Sequence, residues 1–538
     1  MIDWINRRPR RAWLCFYGSA VLTAFTLVFP KLGWLEWISL IPMIGVVLMK
    51  WDDLTAKESY WHGFGAVYAY YFVVYHWFLR LYPLDFVGLG PGASVVVVLA
   101  GWLGLSLLQA LPGGLIFLGF RALCRTSCLK KHPILKPLAF GALWIVFEWF
   151  STLTWTGVPW GRLYMGQSEY LSVMQISSVL GAYAVSFLLL AVNGFLAYAL
   201  LYRIKVLLCG GLSLGLLLGN LTFGAIRRQA DFTTDRAVKA AVIQGNIHSA
   251  EKWDSSTFLR MMDVYDDLTG NAAAEGAKLV VWPETTITVA LNQSRMMKDF
   301  VSSVARDHGV TLIVGTLYED QTGEYNSLVL VTPDGKISED RYDKRHLVPF
   351  GEYVPLKKLI TLLIPPLAEL SALDSDLTPG EDSALFETEW GRIGSMLCFD
   401  SIYEMLGISS VRDGAELMLI SSNDSWFWDS TAVYQHQAQA QYRAIEEGRY
   451  LLRSANTGIS TILTPTGEIC TWLDPLTEGY SVEQVYFRTQ RTVYSVIGNF
   501  FVYLCGAFCL AFPIIDRIDR KRMAQRSDEQ DPDGSDQT

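Results

Sequence analysis

The sequence predicts a multi-span α-helical membrane bundle, of about eight transmembrane helices, that carries one globular α/β domain. Three observations predict it. Apolar runs dominate residues 1–224 and recur at 491–516. The stretch between, 229–490, holds most of the acidic residues, and strand and helix patterns alternate along it. Of 538 residues, 51% are hydrophobic, 18 are Trp and only 18% are charged, which is rich for a soluble protein. The chain therefore divides into seven membrane helices in 1–224, a globular domain in 229–490, a last membrane helix in 491–516, and a basic-then-acidic tail in 517–538, read as disordered.

The apolar runs before the domain lie at about 13–30, 34–49, 61–81, 91–120, 138–153, 171–202 and 206–223, and one follows at about 492–515. Most are near the ~20 residues that a bilayer requires. Trp34, Trp61, Tyr82 and Trp160 near run ends fit an interfacial aromatic belt. A buried core helix would explain one such run, but not eight. Arg7, Arg8, Arg10 and Arg11 precede the first run, and Lys50, Lys57, Arg121, Arg125, Lys130, Lys131, Lys136, Arg203 and Lys205 fall in even-numbered loops. The odd loops hold only Lys31, Arg80 and Arg162. By the positive-inside rule the N-terminus and the even loops are cytoplasmic, so seven crossings put the domain on the other side. The basic end at Arg517, Arg520, Lys521 and Arg522 agrees with an eighth crossing back. The first run lacks a small-residue cleavage site and reads as an anchor.

The net charge of −9, with no basic patch interleaved with aromatics, argues against a nucleic-acid partner. Of eight cysteines, Cys15, Cys209, Cys505 and Cys509 lie in apolar runs and Cys124 and Cys128 in a basic loop. The domain holds only Cys398 and Cys470, with no disulfide framework or zinc spacing, and the seven His are scattered. Neither a metal nor a cofactor is expected.

In the domain, strands are predicted at 238–244, 278–282, 311–316, 391–397 and 417–422, with a hairpin of 325–331 and 336–342 around Pro333-Asp334-Gly335. Helices are predicted from Ser255 or Ser256 to about 277, at 294–308, from Ile402, and at 431–447. Sheets covered by helices follow.

Three strand ends carry chemistry. Trp282-Pro283-Glu284 stops a buried strand at Pro and presents a carboxylate. Tyr342-Asp343-Lys344 follows the hairpin. Cys398 ends the strand 391–397 just before a helical pattern, where backbone N–H groups and the helix dipole favour a thiolate. Each alone is weak; a strand cysteine by itself reads as core. Together they stand in the order Glu, Lys, Cys, 60 and 54 residues apart.

In that order and spacing the domain resembles the nitrilase superfamily, an α-β-β-α sandwich with a Glu–Lys–Cys triad. Supporting segments are Asn423-Asp424-Ser425-Trp426-Phe427, His436, Arg443-Ala444-Ile445-Glu446, Arg449 and Asn456-Thr457-Gly458. With its membrane spans, the chain is similar to the membrane-embedded branch, the apolipoprotein N-acyltransferases, bacterial enzymes that N-acylate lipoproteins. Gln244-Gly245-Asn246-Ile247, Lys252-Trp253, residues 349–355, Pro159-Trp160 and Gly166-Gln167-Ser168 carry that closer likeness.

The resemblance implies Cys398 as nucleophile, Glu284 as general base and Lys344 as stabiliser of thiolate and oxyanion. The chemistry is coherent without the name: a base-activated thiol attacks esters, and a nearby ammonium lowers a thiol pKa and steadies an oxyanion. The N–H of Phe399 is a second candidate oxyanion donor. Glu352, Asp400, Trp253 and Asn423 are supporting residues. Many relatives carry Glu where Asp400 stands; Asp is one methylene shorter, so its contact is expected to be lost or water-mediated, with Glu404 a candidate to compensate. His436, on an amphipathic helix, reads as a packed, hydrogen-bonded residue, and Cys470 as structural.

Residues 347–370 form an apolar loop with Leu356, Leu359, Ile360, Leu362, Leu363, Ile364 and Leu367, a liability in water. It reads as a membrane-facing arm that admits acyl chains. The implied function is ping-pong acyl transfer from a phospholipid to the N-terminal amine of a diacylglyceryl-modified lipoprotein, in the bacterial inner membrane, with the catalytic domain periplasmic and both termini cytoplasmic. The rivals are an anchored amidase using water, and a transporter with an external binding domain. Against the transporter, the spans hold few charged residues beyond Glu36 and Glu148.

Overall fold

The structure, a computed structural model, describes residues 9–84, 89–153, 157–252, 256–358, 362 and 376–530. The N-terminal bundle comprises α1 (Pro9–Val28), α2 (Ile41–Lys50), α3 (Ala56–Val74), α4 (Pro91–Cys124), α5 (Lys136–Phe150), α6 (Tyr183–Leu201) and α7 (Val206–Arg228). Among the described residues seven helical stretches are long and apolar enough to cross a membrane, six before the globular domain and one after it. Where the apolar pattern predicts a further span, at about 61–81, the chain forms α3 and a 3-10 turn Tyr75–Leu81. Lys57, Glu58, His62 and the tyrosines Tyr60, Tyr68, Tyr70 and Tyr71 make α3 less apolar than its neighbours. It is nevertheless packed tightly on α4. A Cβ at Gly63 would lie 2.4 Å from the Phe117 ring, and one at Gly113 2.7 Å from Val67, so glycine is what lets the two backbones approach.

The C-terminal helix also departs from expectation. It runs Phe500–Gln530, well past the predicted end near 516. The basic stretch extends the helix because it is rich in helix formers and pairs Arg520 with Asp516 one turn away at 2.7 Å.

The globular domain has two sheets. In chain order its strands are β1 (Ala237–Gln244), β2 (Leu279–Val281), β3 (Ile287–Ala290), β4 (Thr311–Asp320), β5 (Gly323–Val331), β6 (Ile337–Asp343) and β7 (Leu385–Thr388). They continue with β8 (Gly391–Leu397), β9 (Leu417–Ser422), β10 (Leu451–Ala455), β11 (Ser460–Leu463), β12 (Ile469–Leu473) and β13 (Gly479–Tyr486). One sheet has the order β13-β1-β2-β4-β5-β6, with β3 beside β4, and the other β12-β11-β10-β9-β8-β7. The strands that position the site are β1, β2, β4, β5, β6, β8 and β9. Side chains alternate across each sheet with period two. Val238, Val242, Ile313, Ile393, Leu397 and Leu419 fill the space between the sheets. Ile243 and Trp282 face outward, in one cluster with Met261 of α8 (Phe258–Ala274) and Met297 and Val301 of α9 (Arg295–His308). Met396 and Met418 face Val411 of α10 (Glu404–Asp413) and Ala440 and Ala444 of α11 (Thr431–Glu447). The result is a four-layer α-β-β-α sandwich.

The helix α11 is buried nearly all round, which a helix becomes only when covered on both faces. Its outer face meets the bundle. Trp160 Nε1 donates to Gln435 Oε1 at 2.6 Å, Gln439 Nε2 to the Pro159 carbonyl at 2.9 Å, and Ala182 N to Glu446 Oε1 at 2.7 Å. Ile402, Ala432, Tyr442 and Ile445 join the apolar cluster of the bundle itself. The sandwich is thus seated on the membrane helices by the side that carries β8.

Candidate active site

β2 ends at Val281, and Trp282 is anchored by its indole N–H to Thr269 Oγ1 at 2.9 Å. Pro283 ends the ladder and Glu284 follows, with Thr285 at φ 46°. The turn lies so close over β4 that a Cβ at Gly315 would sit 2.2 Å from the Pro283 carbonyl oxygen, so only glycine fits there. Lys344 follows the end of β6, its own N–H donating to the Asn326 carbonyl at 2.8 Å.

Its ammonium is the centre of the site. Lys344 Nζ donates to Glu284 Oε1 at 2.7 Å and to Glu352 Oε1 at 2.9 Å. Asn326 Nδ2, from β5, donates to the same two oxygens at 2.8 and 2.9 Å, and Val348 N donates to Glu352 Oε2 at 2.8 Å. All of these side chains are withdrawn from solvent. Burial works against the Lys344 charge, but the two carboxylates outweigh it and hold the ammonium protonated. Burial also works against an ionised Glu284, yet the charge and hydrogen bond of Lys344, helped by Lys252 and Asn326, hold its carboxyl below the usual range. Glu352 goes the other way: burial, with the Glu284 charge added, lifts it despite Lys344. Two carboxyls on one ammonium are driven apart in acidity, which is the pattern that separates a working base from its partner.

Cys398 stands at the end of β8 with φ 47°, a left-handed conformation rare for a residue bearing a Cβ. Burial, then the Glu284 charge, push its thiol up, against the pull of Lys344. The sequence-based expectation of a thiolate favoured by a helix N-terminus gives way here. A 3-10 turn, Cys398–Ile402, follows the cysteine, and α10 begins only at Glu404. At rest the sulfur is a thiol beside an ionised carboxylate, the state from which a base-activated nucleophile starts.

The shorter side chain of Asp400 makes direct hydrogen bonds. It is fully buried and accepts from Leu397 N at 3.1 Å, His346 N at 2.7 Å and the Tyr342 hydroxyl at 2.8 Å. It therefore clamps the cysteine turn directly to the strand end that carries Lys344. Glu404 does not compensate; it accepts from Tyr183 Oη and Asn499 Nδ2, both at 3.1 Å, at the bundle side. Replacing Asp400→Ala orphans three buried donors and is expected to cost about 2–3 kcal/mol and to slow any chemistry at Cys398. Chemical denaturation and single-turnover rates check this; an unchanged midpoint would remove the clamp.

Behind the cysteine, His436 Nε2 lies 3.2 Å from the Cys398 carbonyl oxygen and 3.0 Å from Ser401 Oγ, and Nδ1 lies 2.8 Å from Asp424 Oδ1. Arg453 Nη2 donates to Asp424 Oδ2 at 2.6 Å. The donor atoms of Cys398, Asp424 and His436 lie within 4.8 Å of one another, a spacing a metal ion tolerates. Asp424, however, spends both oxygens on Arg453, His436 and Ser422, and the guanidinium already supplies the cation. The trio is a brace for the turn, and His436 is the packed, hydrogen-bonded residue that its helix position predicts.

Glu284, Lys344, Glu352 and Cys398 thus come together, with Asp400 and the Phe399 backbone in the adjoining turn. Asn423 stands apart, accepting from Asn456 Nδ2 at 2.8 Å in a tie to the end of β1. Trp253 lies outside the described residues, as do 359–361 and 363–370 of the predicted arm at 347–370; Phe350 and Leu356 in its described part are exposed. Sequence reasoning missed Asn326, a lone amide just before the apolar run 328–331, and the site role of Lys252, whose Nζ is buried against the Glu284 turn. The turn itself touches the membrane helices: Phe399, Tyr403 and Phe427 pack on the bundle cluster, and Trp160 lies 5.4 Å from the His436 ring.

The sandwich and its three strand ends define the class, a carbon-nitrogen hydrolase domain built onto a membrane bundle. The family model described as Carbon-nitrogen hydrolase matches residues 239–493, and the one described as Apolipoprotein N-acyltransferase N-terminal domain matches 19–195. An apolipoprotein N-acyltransferase of Geobacter metallireducens is 30% identical over 515 residues, covering 93% of this chain and 94% of the relative. One of Pseudomonas syringae pv. tomato is 32% identical over 414 residues, covering 75% and 78%. Among solved structures, a nitrilase-superfamily protein of Saccharomyces cerevisiae is 19% identical and covers 50% of this chain and 96% of its own, with a TM-score of 0.38. The chain belongs to the apolipoprotein N-acyltransferase family.

Proposed function

We propose that this lipoprotein N-acyltransferase works through a thioester on Cys398, taking its acyl chain from a phospholipid and giving it to the N-terminal amine of a diacylglyceryl-modified lipoprotein. The observation that carries the reading is the single ammonium of Lys344 held between Glu284 and Glu352, beside a cysteine whose turn packs into the membrane bundle. Glu284 takes the thiol proton as sulfur attacks the ester carbonyl, and Lys344 with the Phe399 N–H faces the developing oxyanion. The ester C–O bond then breaks, and Glu284 returns the proton to the departing lysophospholipid oxygen. In the second half the free amine attacks the thioester and Glu284 takes its proton. The C–S bond then breaks, and Glu284 passes that proton to the leaving sulfur, which restores the thiol and the ionised carboxylate. Glu352 keeps Lys344 in place throughout.

The distribution of Lys and Arg supports a bacterial inner-membrane location with the domain periplasmic and both termini cytoplasmic, α3 supplying the eighth crossing. The apolar arm at 347–370 supports entry of acyl chains from the bilayer. The purified protein, incubated with phospholipid, is expected to gain one acyl mass on Cys398, absent in Cys398→Ala, and to lose it to a diacylglyceryl peptide with a free amine. Acylation of that peptide by Cys398→Ala would refute the nucleophile. Release of free fatty acid with no acylated peptide would select a hydrolase instead.

A further inference from the structure

Lys252 has no part in the chemistry above, yet it is one of the most buried cations of the domain. It ends the single helical turn Ser249–Lys252 and is 3% exposed. Its Nζ donates to the Glu284 backbone carbonyl at 2.8 Å and to Thr285 Oγ1 at 2.7 Å. Both bonds land on the turn that presents the Glu284 carboxylate, at the residue whose φ of 46° is rare for a β-branched side chain. A lysine in the core without such a task is costly to keep, since a buried ammonium must be compensated by partners.

We propose, on the reading that Glu284 is the base for Cys398, that Lys252 is a positioning residue: it pins the Glu284–Thr285 turn and lays a second positive charge against the carboxylate. The charged and titratable groups around Glu284 are then Lys344 and Lys252 on the positive side and Glu352 and Cys398 on the other, with neutral Asn326 bridging. Lys344 is neutralised by two carboxylates, whereas Lys252 is bonded to neutral oxygens and its charge acts on Glu284 and Cys398. Burial, against the pull of Glu284 and Cys398, brings Lys252 down to about 7. Its charge is therefore present below neutrality, where the Glu284 carboxyl titrates, and absent well above it.

The sign follows. A positive neighbour lowers a carboxyl pKa, so removing it raises that of Glu284 and moves the acid limb of the first half-reaction to higher pH. Acyl-adduct formation on Cys398 is measured by intact mass at a series of pH values, for the wild type, Lys252→Met and Lys252→Arg. Lys252→Met is expected to move the acid midpoint up by about one pH unit, as one nearby charge does, and Lys252→Arg to keep it. Thr285→Val, which removes one hydrogen bond and no charge, is expected to lower the rate severalfold at an unchanged midpoint, and it serves if Lys252→Met fails to fold. A wild-type midpoint in Lys252→Met with a uniformly lower rate, or a wild-type rate in Thr285→Val, overturns the proposal. No adduct on wild-type Cys398 would instead overturn the catalytic reading on which it rests.

Discussion

Lys344→Met is expected to abolish acyl-adduct formation on Cys398 and to destabilise the domain at the same time. The methionine fills the volume, but Glu284 and Glu352 then face each other in the interior with only Asn326 between them. Breaking a buried pair by deleting one partner costs about 3–5 kcal/mol, because the remaining charge is left uncompensated. Loss of an oxyanion-stabilising group costs a further ~10²–10³ in rate. Thermal unfolding in detergent and the time course of the acyl mass test the two halves separately. A variant that acylates within tenfold of the wild type would show that Lys344 serves only to balance charge.

Glu284→Gln separates the same two effects. Glu352 still pairs with Lys344, and the amide can still meet Asn326, so the loss of stability is expected to be well below that of Lys344→Met. The rate of adduct formation is expected to fall ~10²–10⁴-fold, the worth of a positioned base. The pH dependence distinguishes a base from a bystander. Lys344 holds the Glu284 carboxyl below its usual value, once burial is overcome. The stability that this pair contributes is therefore present above the unfolded carboxylate pKa and is lost as pH falls through the folded one. The wild-type rate follows the same acid limb, and in Glu284→Gln that limb is expected to vanish with the rate. An acid limb that persists in the variant would transfer the base to another group, Glu352 first.

What could be read in advance follows from what is local. The order Glu284, Lys344, Cys398 was legible because each ends a strand whose own residues announce it: the buried run before Pro283, the hairpin around Pro333-Asp334-Gly335, and the apolar run into Cys398. The sandwich was legible for the same reason, since period-two and period-3.6 burial are written residue by residue. The share of membrane helices was legible from composition, although α3 shows its limit. Three glycine-permitted approaches, at Gly63, Gly113 and Gly114, keep it packed on α4 despite its polar side chains.

The length of Asp400 alone does not set its contacts, which depend on how near Tyr342 and His346 come, residues more than fifty positions earlier. Asn326 is unmarked in the chain for the same reason, and Lys252, although part of the Lys252-Trp253 likeness, shows no sign there of its tie to the Glu284 turn, because the partners of both arrive from distant segments.

The two-part architecture, the apolar spans and the order of Glu284, Lys344 and Cys398 at strand ends are written along the chain. Their acidities depend on the assembled fold, in which burial pushes the Cys398 thiol up and lifts the Glu352 carboxyl, while, against burial, Lys344 holds the Glu284 carboxyl low. Periodicity is a property of neighbours along the chain, but acidity is set by burial and by whichever distant charges the fold brings within a few ångströms.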